Sequence, residues 1–145
     1  MTVIAWDGKT LAADKQSTCA GYGTTVTKIH RTEAGIVGFA GSASHARALI
    51  AWFNSGAALD RWPASRETSN WADSLLIMPN GEVREYAGSG GGHYELVEDA
   101  FTAMGGGRDY ALAAMYLGHS AEKAVQVACE LDITCGKGID TLVLE

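Results

Sequence analysis

Little in this sequence points to a membrane, a disulfide framework or a nucleic-acid surface. No apolar run approaches the roughly 20 residues that a membrane-spanning helix needs. The start has no positively charged segment and breaks at Asp7-Gly8, so no signal peptide is expected. Cysteine is scarce and odd in number: Cys19, Cys129 and Cys135 lack metal-ligand spacing and fit a reducing, cytoplasmic compartment. His30, His45, His93 and His119 stand singly, which leaves no zinc pattern, and no cofactor is expected. Basic charge is in deficit too. With 11 Lys+Arg against 17 Asp+Glu, the formal net charge of −6 argues against nucleic acid or an anionic membrane as a partner. A phosphate-binding loop is also excluded. Gly8-Lys9-Thr10 imitates the end of one, but Val3 stands where its first glycine belongs.

What is present is a globular composition. Hydrophobic residues make up 47% and charged residues 19% of 145 positions. One domain of that length buries roughly 70% of its unfolded surface. The 18 glycines mostly punctuate short apolar runs. Residues 2–6 and 10–14, 25–30 and 35–40, and 74–78 and 82–86 read as three strand pairs, the last around Asn80-Gly81. Further strands are predicted near 100–104 and at 139–144. Runs such as "GIVGFAG" and "SLLIMP" are apolar at consecutive positions, the pattern of strands covered on both faces.

Helical spacing marks two regions. One is "SASHARALIAWFNSG", ending at Gly56; the other runs from Asp109 to Leu131, broken at Gly118-His119, with Ser120 as N-cap. Residues 57–73 read as an irregular connection, and "GSGGG" at 88–92 as a flexible surface loop. Trp52, Phe53, Trp62 and Trp71 are a heavy aromatic load, expected at a subunit contact, with a small core beneath the loop as the alternative. The order of elements predicts an α+β layered fold.

The order of motifs carries more. A threonine behind Met1 opens a strand and "LAAD" closes its partner. "TKIHR", "GIVGFAGSASHA", a helix, "AMGGGRDYALAAM" and "ACELDITCGKGID" follow. Along nearly the whole chain this series resembles the proteasome β subunits, and within them the HslV-type peptidases, which are N-terminal-nucleophile hydrolases. The compact length suits a phage or bacterial member. The resemblance implies a four-layer αββα sandwich and a threonine-type endopeptidase in a homo-oligomeric ring. It also implies an unfolding ATPase as partner and polypeptide as substrate.

Carried over by position, the resemblance makes Thr2 the nucleophile once Met1 is removed. Asp14 is the acidic residue beside it, Lys28 the lysine bridging the two, and Gly41 the oxyanion-hole glycine. Asp132 and Cys135 hold the places of the Asp and Ser that support the terminal amine. The chemistry needs these types. A threonine hydroxyl needs an adjacent base, and a free α-amine, with a pKa of about 7.7–8.0, is one attached to the same residue. A lysine ammonium tunes that amine, and an aspartate keeps the lysine in place. Lys28 is therefore expected to be buried between Thr2 and Asp14, with Asp14→Asn milder than Lys28→Ala.

Plainer readings stand beside these. Thr2 can be a strand residue, Asp14–Lys28 an ordinary ion pair, Gly41 a helix-entry turn and Cys135 a packed thiol. A catalytically inactive scaffold ring and an amidase acting on a small amide are the rival functions. Two departures from the family sharpen the choice. The first hairpin is about four residues shorter, an even change that keeps side-chain faces if two are lost per strand. A Gly8-Lys9 turn then sets Val3 across from Asp14, whereas Thr2 across from Ala13 would count against the site. Second, Gly106 stands where the family has a supporting serine.

Overall fold

The computed structural model describes residues 2–145; the expected removal of Met1 concerns a residue outside them. The chain runs through β1 (Ile4–Trp6), β2 (Thr10–Asp14), β3 (Gln16–Cys19), β4 (Tyr22–Thr25), β5 (Ile29–Thr32) and β6 (Gly35–Gly41) to helix α1 (Ala43–Asn54). A single 3₁₀ turn at Leu59–Arg61 precedes β7 (Ala72–Ile77), β8 (Val83–Tyr86), β9 (Glu95–Leu96) and β10 (Thr102–Met104). Helices α2 (Arg108–Tyr116) and α3 (Ala121–Leu131) and strand β11 (Ile139–Val143) complete it.

Side-chain alternation along the strands decides the layers. In the first sheet, ordered β10-β1-β2-β11, Val3, Ala5 and Ala12 face α2 and α3, against Ala111, Ala124, Val125 and Ala128. Ile4, Trp6, Leu11 and Ala13 face the other way. They meet Ile29, Ile36, Leu75 and Ile77 of a second sheet, ordered β5-β6-β7-β8-β9. That sheet's outer face, through Val37, Phe39, Leu76 and Tyr86, packs on Leu49, Trp52 and Phe53 of α1. The order is helices, sheet, sheet, helix: the four-layer αββα sandwich. Consecutive apolar positions in the sequence are thus strands buried on both faces.

The two outer layers differ in bulk. The α2–α3 layer is built on alanines, so its helices lie close to the sheet. The α1 layer is aromatic, and Leu49 and Phe53, both fully buried, each contribute about 1.5–3 kcal/mol by leaving water. Trp52 meets Trp62 edge-on with ring centroids 4.9 Å apart and Tyr86 at 5.7 Å. Trp52 and Phe53 are therefore spent inside this chain, Trp62 packs against them, and of the four aromatics only Trp71 is exposed. The expected aromatic surface is instead the small core beneath the loop. The 88–92 loop does reach the surface, with Ser89 and Gly91 exposed, but its two end glycines are buried. A Cβ on Gly88 would stand 2.3 Å from the Ala72 carbonyl oxygen, and one on Gly92 would press on Leu59 and Trp62.

Local signals set the element ends. Ser42 caps α1 by accepting from the His45 N–H, and Ser120 caps α3 by accepting from the Lys123 N–H. Buried His45 ties the irregular stretch down, its Nδ1 accepting from the Ala72 N–H and its Nε2 lying 2.7 Å from the Pro63 carbonyl oxygen. In the β1–β2 hairpin Ile4 pairs with Ala13, Ala5 with Ala12 and Trp6 with Leu11. Gly8, with φ of +95°, takes the first central turn position that requires it. By that register Val3 lies across from Asp14, and the Asp14 N–H donates to the Val3 carbonyl at 3.2 Å.

Candidate active site

Strand β1 delivers Thr2 to one end of a cleft of about 600 Å³ between the edge of the sandwich and α1. Lys28, Gly41, Gly105 and Gly106 line the same cleft. Its other walls include Gln16, Ser17 and Thr18 of β3, Phe39 of β6, and Ala46 and Arg47 of α1.

Beneath this end lies a buried ion pair. Lys28 Nζ stands 2.7 Å from Asp14 Oδ1, with Asp14 fully buried and Lys28 only 7% exposed. The carboxylate collects three further donors. The Val3 N–H reaches Oδ1 at 3.1 Å, and the Gln16 and Gly136 N–H groups reach Oδ2 at 3.2 and 3.1 Å. Such saturation matters, since a buried charge costs several kcal/mol unless paired and hydrogen-bonded. It also gives Asp14→Asn a cost of its own, beside that of Lys28→Ala. Every partner of Asp14 is a donor, so an amide NH₂ placed there would face N–H groups.

On the other side Thr2 is held by backbone. The Gly107 N–H donates to the Thr2 carbonyl at 3.0 Å, and a Cβ on Gly105 would stand 2.1 Å from that same oxygen. At Gly107 a Cβ would meet Val3 Cβ at 2.8 Å and Cys135 Sγ at 3.2 Å. The triple glycine is thus the price of close approach at its first and third positions. Gly106 contributes no side chain to this flank.

Gly41 closes β6 with φ of +119°, and a Cβ there would collide with the Trp71 carbonyl oxygen at 2.2 Å. Only glycine fits, and its backbone faces the cleft that holds Thr2. Asp132 and Cys135 sit on the loop after α3. Asp132 Oδ1 accepts from the Thr134 N–H at 2.9 Å and the Thr134 hydroxyl at 2.6 Å, which hold its carboxyl below the usual range. Cys135 is 4% exposed beside Gly107, and burial, with Asp14 and Asp132 nearby, pushes its thiol up to about 12. It remains a thiol. Neither residue lines the cleft as Thr2, Lys28 and Gly41 do.

Sequence reasoning missed three contributors: the N–H groups of Gln16 and Gly136 on Asp14, the Gly107 N–H on Thr2, and the β3–β4 hairpin that walls the cleft. Backbone donors leave no residue-type signature. Among the described residues no group of three or more His, Cys, Asp or Glu is placed to hold a metal ion. No helix among them is long and apolar enough to cross a membrane.

No protein-family model matches the sequence, and no curated protein matches it. Solved structures do. A Thiobacillus denitrificans protein called BPH, in complex with epoxomicin, superposes with a TM-score of 0.74 at 23% identity, covering 100% of this chain and 98% of that one. This is the fold of the HslV-type peptidases. The HslV of Trypanosoma brucei gives a TM-score of 0.72 at 23% identity, over 99% of this chain and 98% of its own. A second Thiobacillus denitrificans BPH structure gives 0.72 at 22% identity, over 99% and 97%. The HslV-type fold therefore spans the chain, with Thr2 two residues ahead of the first strand.

Proposed function

We propose that this chain, as one domain, is a threonine-type endopeptidase of the HslV type, with Thr2 as nucleophile after Met1 is removed. The observation that carries the reading is the buried Lys28–Asp14 pair, 2.7 Å long, with Lys28 lining the same cleft as Thr2 and Asp14 bonded to the adjoining Val3 N–H. In this reading the freed Thr2 amine takes the hydroxyl proton as Oγ attacks a peptide carbonyl. The Lys28 ammonium favours the unprotonated amine, and Asp14 holds Lys28 in place. The Gly41 N–H stabilises the developing oxyanion, which a glycine backbone can approach closely. The amine then gives its proton to the departing peptide nitrogen, and water cleaves the acyl ester by the reverse path. Asp132 and Cys135 support the amine from the loop after α3. A cytoplasmic homo-oligomeric ring fed with polypeptide by an unfolding ATPase completes the proposal.

One observation favours a second reading, an inactive scaffold of the same fold. Gly106 offers no hydroxyl, and the Cys135 thiol is a weaker hydrogen-bonding group than serine. Intact mass of natively processed protein, before and after incubation with epoxomicin, tests both. Loss of Met1 together with an adduct on Thr2 establishes the peptidase. Retained Met1 without an adduct establishes the scaffold.

A further inference from the structure

We propose that the Thr2 cleft selects substrate segments with an acidic side chain beside the cleaved bond, and that Arg47 reads that carboxylate. The inference rests on the peptidase reading and adds its substrate class. Helix α1 presents two faces. Leu49, Trp52 and Phe53 enter the core, whereas Ala43, Ala46, Arg47 and Ile50, at helical spacing, line the cleft. Arg47 is exposed, and among the described residues its guanidinium has no ion-pair or hydrogen-bond partner.

The rest of the lining agrees in sign. Among the described residues no aspartate or glutamate lines the cleft, although the protein carries a net charge of −6. Its ionisable members are Lys28, His30 and Arg47. Lys28 is committed to Asp14, and the His30 ring lies against Phe39 with centroids 6.1 Å apart. The N-terminus of α1 opens at the same wall, and its first turn holds no acidic residue to offset the positive end of the helix dipole. Distant surface carboxylates matter little here, because charges beyond about 8–10 Å are screened at physiological salt. The planar guanidinium can take a carboxylate with two parallel hydrogen bonds, while Phe39 and Ile50 supply an apolar wall for its stem. A basic side chain would meet like charge there and no carboxylate.

Binding separates this inference from catalysis. The full chain carrying Thr2→Ala is titrated with peptides blocked at both ends and differing only in a central Glu, Leu or Lys, followed by fluorescence anisotropy. The Glu peptide should bind about five- to ten-fold more tightly than the Lys peptide, with the gap narrowing as salt rises. Arg47→Glu should invert that order, and the exposed Arg66→Glu, outside the cleft, should leave it unchanged. Tightest binding of the Leu or Lys peptide, an order indifferent to Arg47→Glu, or no binding by any of the three overturns the inference. Epoxomicin labelling of chains bearing Thr2 reports on the peptidase reading separately. An adduct with the wrong peptide order sinks the specificity alone, and a correct order without an adduct sinks the peptidase alone.

Discussion

On its Lys28 side, Thr2 adjoins a carboxylate that gathers four donors inside the protein; on its Gly105–Gly107 side, the contacts are backbone against backbone, backed by a thiol. The first flank is polar, buried and saturated. The second depends on the absence of side chains and contributes no hydroxyl. In the proposed peptidase, fixing the nucleophile in place and tuning its chemistry are then separable tasks. Glycines suffice for the first, whereas the second needs groups that carry charge or protons. Damage to the Lys28 flank should therefore be severe, whereas on the glycine flank a hydroxyl added at Gly106, between two glycines that admit no Cβ, should help.

The largest effect is expected from Lys28→Ala. It leaves the Asp14 carboxylate buried without a counter-charge, for a loss of about 3–5 kcal/mol in denaturant unfolding. Epoxomicin labelling of Thr2 should slow by about a thousand-fold, within the range for lost acid–base assistance. Asp14→Asn comes next. Its amide hydrogens would confront the N–H groups that now point at oxygen, so about 3 kcal/mol should be lost. An Asn variant with near-normal stability would show that the four-donor arrangement is not what holds this flank.

Gly106→Ser tests the opposite flank. Gly106 is exposed and does not sit in the left-handed region, so its backbone conformation does not demand glycine, and in the proposed mechanism a serine hydroxyl there would give the amine a partner. Thr2 labelling should quicken by about ten-fold, the worth of roughly 1.4 kcal/mol in the transition state. No gain would mean that this flank needs no hydroxyl. The smallest expected effect is chemical inertness. Burial pushes Cys129 up to about 11 and Cys135 to about 12, so both stay protonated at pH 8. Iodoacetamide should then label exposed Cys19 first and reach the other two only on unfolding, as peptide mapping would show.

Sequence patterns revealed the layered fold wherever both faces of a strand are buried, because "GIVGFAG" and "SLLIMP" can only be covered twice. The hairpin of β3 and β4 escaped notice for the converse reason. "QSTC" and "YGTT" are largely exposed, so no apolar alternation marks them, and only the turn at Ala20-Gly21, with φ of +51° and +76°, betrays it. Side-chain members of the candidate site could be read from motif order, as Asp14 and Lys28 were. Its backbone donors could not, since any residue type supplies an N–H. The aromatic residues misled because a tryptophan's composition says nothing about whether its own chain or another covers it.

A carboxylate stands at each end of the β1–β2 hairpin. Asp14 holds the open end, and Asp7 the turn, where Oδ1 accepts from the Lys9 and Thr10 N–H groups and Oδ2 from the Ala121 N–H at the start of α3. Sliding one strand past the other would require both carboxylates to let go together. The hairpin behaves as a bar clamped at two points, one in the helical layer and one at the cleft. The two clamps together hold the register of the strand that leads on from Thr2.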